Sequence, residues 1–107
     1  MVVKPRKETI MVLQVATTVA DVTSVPLDEI CNCNNTHDQK VADARGLAIY
    51  LARKCTVQSL PEIAVFFKCT HVQILSVSKK MRTRLLADDS LRGQLDAIVA
   101  RIHDRVK

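Results

Sequence analysis

At 107 residues the chain has room for one domain around a single apolar interior and none for a second. The hydrophobic fraction of 48% is ordinary, but 2 Gly, 3 Pro and 3% aromatic residues leave little turn punctuation and little strand material. The composition therefore predicts an all-α chain, which the pattern along it resolves into a compact helical domain of about six helices. Sixteen Lys and Arg against 11 Asp and Glu give a net charge of +5, which favours an anionic partner, although an excess of this size also serves solubility.

Pro5 sits where a first helical turn tolerates proline, and Ile10, Leu13, Ala16/Thr17 and Ala20 recur at helical spacing, predicting a helix from about Pro5 to Val22. The low-charge run Ile10 to Ala20 is broken by Gln14, Thr17 and Thr18 and falls short of the roughly 20 apolar residues of a membrane span. The first residues lack the apolar core of a signal peptide, so a cytoplasmic, nucleoid-associated location is expected. Val25-Pro26 then imposes an extended step, and Leu27 to Ile30 reads as one or two helical turns opened by Asp28 and Glu29. The run CNCNNTHDQK is the one convincing loop of the first half, because Asn and Asp compete with helical hydrogen bonding.

From about His37 or Asp38 to Lys54, an apolar stripe of Val41, Ala44, Leu47/Ala48, Leu51 and Cys55 predicts the longest, central helix, with Lys40, Arg45, Arg53 and Lys54 off the stripe. Gly46 within it costs about 1 kcal/mol relative to Ala, so close approach by a neighbouring backbone or by DNA is its expected reason.

Ser59-Leu60-Pro61-Glu62 is a capping box that opens a helix, and only two turns later Thr70-His71-Val72-Gln73 is another. Two capped helices in tandem, the first short, are what a helix-turn-helix needs. On the second, Ile74, Val77/Ser78, Met81 and Leu85 share a face, leaving His71, Gln73, Ser76, Lys79, Lys80, Arg82 and Arg84 for solvent or DNA. No acid occurs from Lys68 to Arg84. Such a helix, polar in its first turn and basic behind, can enter a major groove and hold phosphates. Asp88-Asp89-Ser90 ends it and caps a last helix whose packing face is Leu91, Leu95, Ile98, Val99 and Ile102.

Catalysis has no foothold: there is no G-x-S-x-G, H-E-x-x-H or P-loop, and His37, His71 and His103 are scattered. Of the four cysteines, Cys55 and Cys69 are expected in or near the core as reduced thiols. Cys31-x-Cys33 is the one close pair and lacks a second knuckle, which makes structural zinc the weaker reading, and no cofactor is expected.

Leu60-Pro61-Glu62-Ile63, Phe67, His71 opening a helix that continues ILSVSKKM, and ARGLAIYLARK upstream together resemble the C-terminal DNA-binding domain of the bacterial replication initiator DnaA, in the broad helical group of the Trp repressor. The likeness covers about residues 8 to 103. It implies a single domain that grips double-stranded DNA, with the recognition helix in the major groove and a basic loop at the minor groove. His71 matches the signature histidine and Arg45 the arginine of the long helix that contacts DNA. The ATPase module of full initiators lies outside these residues, and Met1 favours a stand-alone relative over a fragment.

Departures are as informative. The family's Gly-Gly-Arg-Asp before the histidine is here Lys68-Cys69-Thr70, and its two small hydroxyl residues are Val72 and Gln73. The arginine-rich loop is NNTHDQK, so His37, Gln39 and Lys40 stand in, and Asp43 occupies an often basic position. Gln can contact adenine N6/N7 and Val a thymine methyl, so a different sequence preference is expected. Lost loop arginines predict weaker binding with a flatter salt dependence. The expected contacts are His71, Val72, Gln73, Ser76 and Arg45 at bases or backbone behind the Thr70 cap, with Lys68, Lys79 and Lys80 on phosphates. The alternative is a degenerate domain that now binds a protein partner in replication control. On composition alone Arg45 reads equally well as part of a solvated helix face, and the Lys79/Lys80/Arg82/Arg84 cluster reads more readily as an exposed face than as a phosphate grip.

Overall fold

The structure is a computed structural model that describes residues 12–31, 39–56 and 59–106, without the side chains of residues 55, 105 and 106. Six helices fill the described residues: α1 Val12–Thr23, α2 Leu27–Ile30, α3 Gln39–Cys55, α4 Leu60–Phe67, α5 His71–Ala87 and α6 Asp89–Val106. The all-α expectation holds. The predicted start of the first helix and most of the CNCNNTHDQK loop, with His37 and Cys33, lie outside the described residues.

The face that α1 buries differs from the expected one. Val12, Val15, Ala16 and Val19 are fully buried, while Leu13 is 54% exposed. Gln14, Thr17 and Asp21 mark its outer side, and Leu13 lies with them, so the inward row runs through Val12, Val15 and Val19 instead of Leu13. Thr18 and Thr23 are buried with it, and their hydroxyls donate to the carbonyls of Gln14 (2.8 Å) and Val19 (2.7 Å), which satisfies them inside the helix.

α3 is the hub, packed against α1, α2, α4 and α5. Val41, Ala44, Leu47, Ala48 and Leu51 are buried as the stripe predicts, and so are Ile49, Ala52 and Arg45 off it. A helix with neighbours on most sides buries more than one stripe. Among the described residues α6 spans 18 and α3 spans 17, while the expected start of α3 near His37 or Asp38 lies outside them. The reason for Gly46 also differs from expectation. A side chain there would meet the terminal methyl of Met81, so the close neighbour is a side chain of α5 rather than a backbone or DNA.

Asp88 starts α6 by accepting from the N–H groups of Ser90 (3.0 Å) and Leu91 (3.2 Å). Arg92 reaches back with Nε to the carbonyl of Leu85 at 3.2 Å and so ties off the end of α5. Gly93 has no atom within 4 Å of where a Cβ would stand. Gly93→Ala is therefore expected to stabilise the fold by about 0.5–1 kcal/mol in chemical denaturation, since alanine restrains the unfolded chain and meets nothing.

Candidate nucleic-acid interface

Both capping boxes are formed. In the first, the Ser59 N–H donates to Glu62 Oε1 at 2.8 Å and the Glu62 N–H donates to Ser59 Oγ at 3.4 Å. α4 then ends in a double closure, with the Lys68 N–H on the Val65 carbonyl (3.1 Å) and the Cys69 N–H on that of Ala64 (2.9 Å). Lys68 is left-handed there, at φ 57°. A lysine in that conformation costs about 1 kcal/mol relative to glycine but keeps a cation at the turn. α5 leaves at 90° to α4, the angle of a helix-turn-helix. Ile63, Ala64 and Phe67 of α4 pack with Ile74 of α5 in one core, which holds that angle.

In the second box the Thr70 N–H donates to Gln73 Oε1 at 2.8 Å and the Gln73 N–H donates to Thr70 Oγ1 at 3.1 Å. His71, Val72, Gln73 and Ser76 are all exposed, Val72 at 73%. Farther along, Lys79 and Lys80 are exposed too, on the side opposite Ile74, Ser78, Met81 and Leu85. Lys68, Thr70, His71, Val72, Gln73, Ser76, Lys79 and Lys80 all belong to the exposed surface of α5 and the turn before it.

Arg53, Lys54 and Arg82 join it, although the sequence reading did not place them among the site residues. α5 runs antiparallel to α3, with Asp43 beside Arg84, Gly46 beside Met81 and Arg53 beside Ser78. The crossing leaves an open cleft of about 440 Å³, lined by Arg53, Lys54, Lys79 and Arg82 over Tyr50 and Leu75, with no acid. Lys54 Nζ stands 5.4 Å from the centre of the Tyr50 ring. The signal in the sequence was the basic last turn of the long helix, but nothing local shows which part of α5 it faces.

Arg45 is a correction. It is only 4% exposed, and it donates from Nε to the Ile30 carbonyl (3.1 Å) and from Nη2 to the Glu29 carbonyl (2.7 Å). It ties off the last turn of α2 against α3 and does not reach the outer surface, because α3 is enclosed on that side. Gln39 and Lys40 are exposed at the start of α3, beside the far end of α5. Thirteen residues at 1.5 Å each put that end about 20 Å from His71. Asp43 holds this corner: it accepts from Gln39 Nε2 at 2.8 Å and from Arg84 Nη1 at 2.6 Å. The bond to Asp43 raises the Arg84 guanidinium pKa above its ordinary value. His37 lies outside the described residues.

Among the described residues no three His, Cys, Asp or Glu side chains gather as a metal site would require. Burial, and then Asp28, push the Cys31 thiol above its ordinary range. Cys69 is partly buried, with Sγ 3.4 Å from the Phe67 carbonyl. No single helix among the described residues is long and apolar enough to cross a membrane.

Residues 12–81 match the family model described as bacterial dnaA protein helix-turn-helix. The chain is 40% identical over 65 residues to the chromosomal replication initiator protein DnaA of Streptococcus thermophilus, a match covering 60% of the chain and 14% of that protein. It is 32% identical over 88 residues to the DnaA of Thermotoga maritima, covering 81% of the chain and 20% of that protein. To DnaA 1 of Protochlamydia amoebophila it is 30% identical over 92 residues, covering 86% and 20%. The chain spans about a fifth or less of the length of these relatives.

Proposed function

Since the chain belongs to the bacterial DnaA helix-turn-helix family, we propose that it binds double-stranded DNA with the first turn of α5 in the major groove. In this reading His71, Val72, Gln73 and Ser76 face base edges, while Lys68, Lys79 and Lys80 hold phosphates, extended by Arg53, Lys54 and Arg82. The supporting observation is the outward, capped first turn of α5, set at 90° to α4 and backed by a face without acids. Binding of this kind would act at the nucleoid, in replication initiation or its regulation, or in transcriptional regulation. No catalytic step is assigned to these residues.

Titration against duplex DNA at two salt concentrations tests the reading. Binding that weakens steeply with salt is expected, and absence of binding at low salt ends the proposal.

Asp43 acts as a partial brake in this account, because its carboxylate engages Arg84 and adds a negative charge at the corner of α3. Asp43→Asn is expected to raise duplex affinity a few-fold at low salt and to steepen the salt slope by up to about 1, as one phosphate contact would. The lost pair is partly exposed and should change stability by less than about 1 kcal/mol. Unchanged affinity would mean that Arg84 stands clear of the duplex.

A second reading, docking of a protein partner, draws on Val65 and Val72, which are 77% and 73% exposed on either side of the turn. It predicts that removing the α5 cations leaves the partner interaction intact.

A further inference from the structure

The outward residues of α5 are not equally free to read a base. Gln73 is the third residue of the helix, and its side-chain oxygen already accepts from the Thr70 N–H at 2.8 Å. The orientation of the amide follows from chemistry: only oxygen can face a donor, so Nε2 with its two hydrogens is the end left over. The oxygen keeps a second lone pair but is held on the N-cap, so the amino group, on the same carbon, is the end of the amide left to meet a base.

We propose that the Thr70 capping box fixes Gln73 as a hydrogen-bond donor, so that this chain reads guanine rather than adenine opposite that residue. The inference rests on the DNA-binding reading above and goes beyond it to the base preference.

A free glutamine pairs with adenine through both amide atoms, its oxygen taking the N6 hydrogen and its nitrogen giving one to N7. Here that contact would need the oxygen to leave the cap, stranding the Thr70 N–H under the duplex. The penalty for an unpaired N–H in a dry interface is of the same order as the discrimination that a two-point base contact supplies, so the exchange brings little. With the cap intact, adenine would set its N6 hydrogens against those of Gln73. Guanine offers two adjacent acceptors, O6 and N7, and no donor beside them. Nothing in this preference comes from the cations, which contact every sequence alike.

Selection of bound sequences from random duplexes, with the wild-type chain and with Gln73→Glu, tests this. Glutamate still offers an oxygen to the Thr70 N–H, so the helix start survives and far-ultraviolet circular dichroism should match the wild type, but both amide hydrogens are gone. The wild type is expected to enrich guanine at one base pair, and Gln73→Glu to lose that preference or turn to cytosine, whose N4 amino group donates. A second measurement replaces that guanine with 7-deazaguanine, which removes the N7 acceptor and should weaken wild-type binding by about tenfold while leaving Gln73→Glu unmoved.

Enrichment of adenine at the pair that Gln73→Glu alters would overturn the inference, as would identical selected sequences for the two proteins. Both results leave DNA binding standing. Failure of the wild-type chain to bind any duplex at low salt would remove the DNA-binding reading itself, and this inference with it.

Discussion

Arg45→Ala is expected to unfold the domain more than to disarm it. The guanidinium donates to the carbonyls of Glu29 and Ile30 from a position 4% exposed, so truncation takes a charged donor from one buried and one part-buried carbonyl and opens a cavity between α2 and α3. Hydrogen bonds from a charged donor are worth about 1.5–3 kcal/mol each, and a net loss of about 2–4 kcal/mol follows. For a domain of this size that lowers the melting temperature by about 10 °C or more, a large part of its total stability. Arg45→Lys should recover only part of the loss, since an ammonium is a point donor and cannot fork between the two carbonyls. Duplex affinity, measured well below the lowered melting temperature, is expected to match the wild type. The reverse pattern, an unchanged melting temperature with lost affinity, would mean that Arg45 swings out to a phosphate.

Lys79→Ala with Lys80→Ala is expected to do the opposite, leaving the fold alone and removing most of the affinity. Both side chains are exposed, so stability should move by no more than about 0.5 kcal/mol. Each phosphate contact contributes about 0.9 to the slope of log affinity against log salt, which is close to a tenfold effect at 0.1 M salt. The double variant should bind about 50- to 100-fold more weakly there, with a slope shallower by about 2. The loss should be similar for every duplex sequence, in contrast to a change at Gln73. A loss confined to one sequence would place these lysines at base edges, and no loss would favour the protein-docking reading.

The contrast between these residues tracks what a linear pattern can carry. Ser59 with Glu62, and Thr70 with Gln73, are three apart, and a capping box closes within its own turn, so both helix starts were legible before any tertiary structure was known. The buried face of α5 was legible for a similar reason: Ile74, Ser78, Met81 and Leu85 sit between basic and polar neighbours, which leaves one choice of inward side. In α1 the contrast was present in Gln14, Thr17 and Asp21, but a row through Leu13 is offset from the one that packs, Val12, Val15 and Val19. Gln73 was seen both as a cap and as a free reader of adenine. The 2.8 Å bond to Thr70 makes these two roles compete.

By itself the sequence determined the helical class, the two capped starts, the acid-free basic helix and the likeness to one DNA-binding family, because all of these are written in neighbours a few positions apart. Only the tertiary structure decided that Arg45 is interior, that Arg53 and Lys54 share a cleft with Lys79 and Arg82, and that Asp43 engages Arg84. Those relations arise where α3 and α5 cross, between residues 25 to 41 positions apart, and where α2 closes over α3. A periodicity reports one helix against an unspecified interior. Which side chains meet is set by how the helices pack, and the enclosure of α3 by four neighbours turned an apparent surface cation into a structural one.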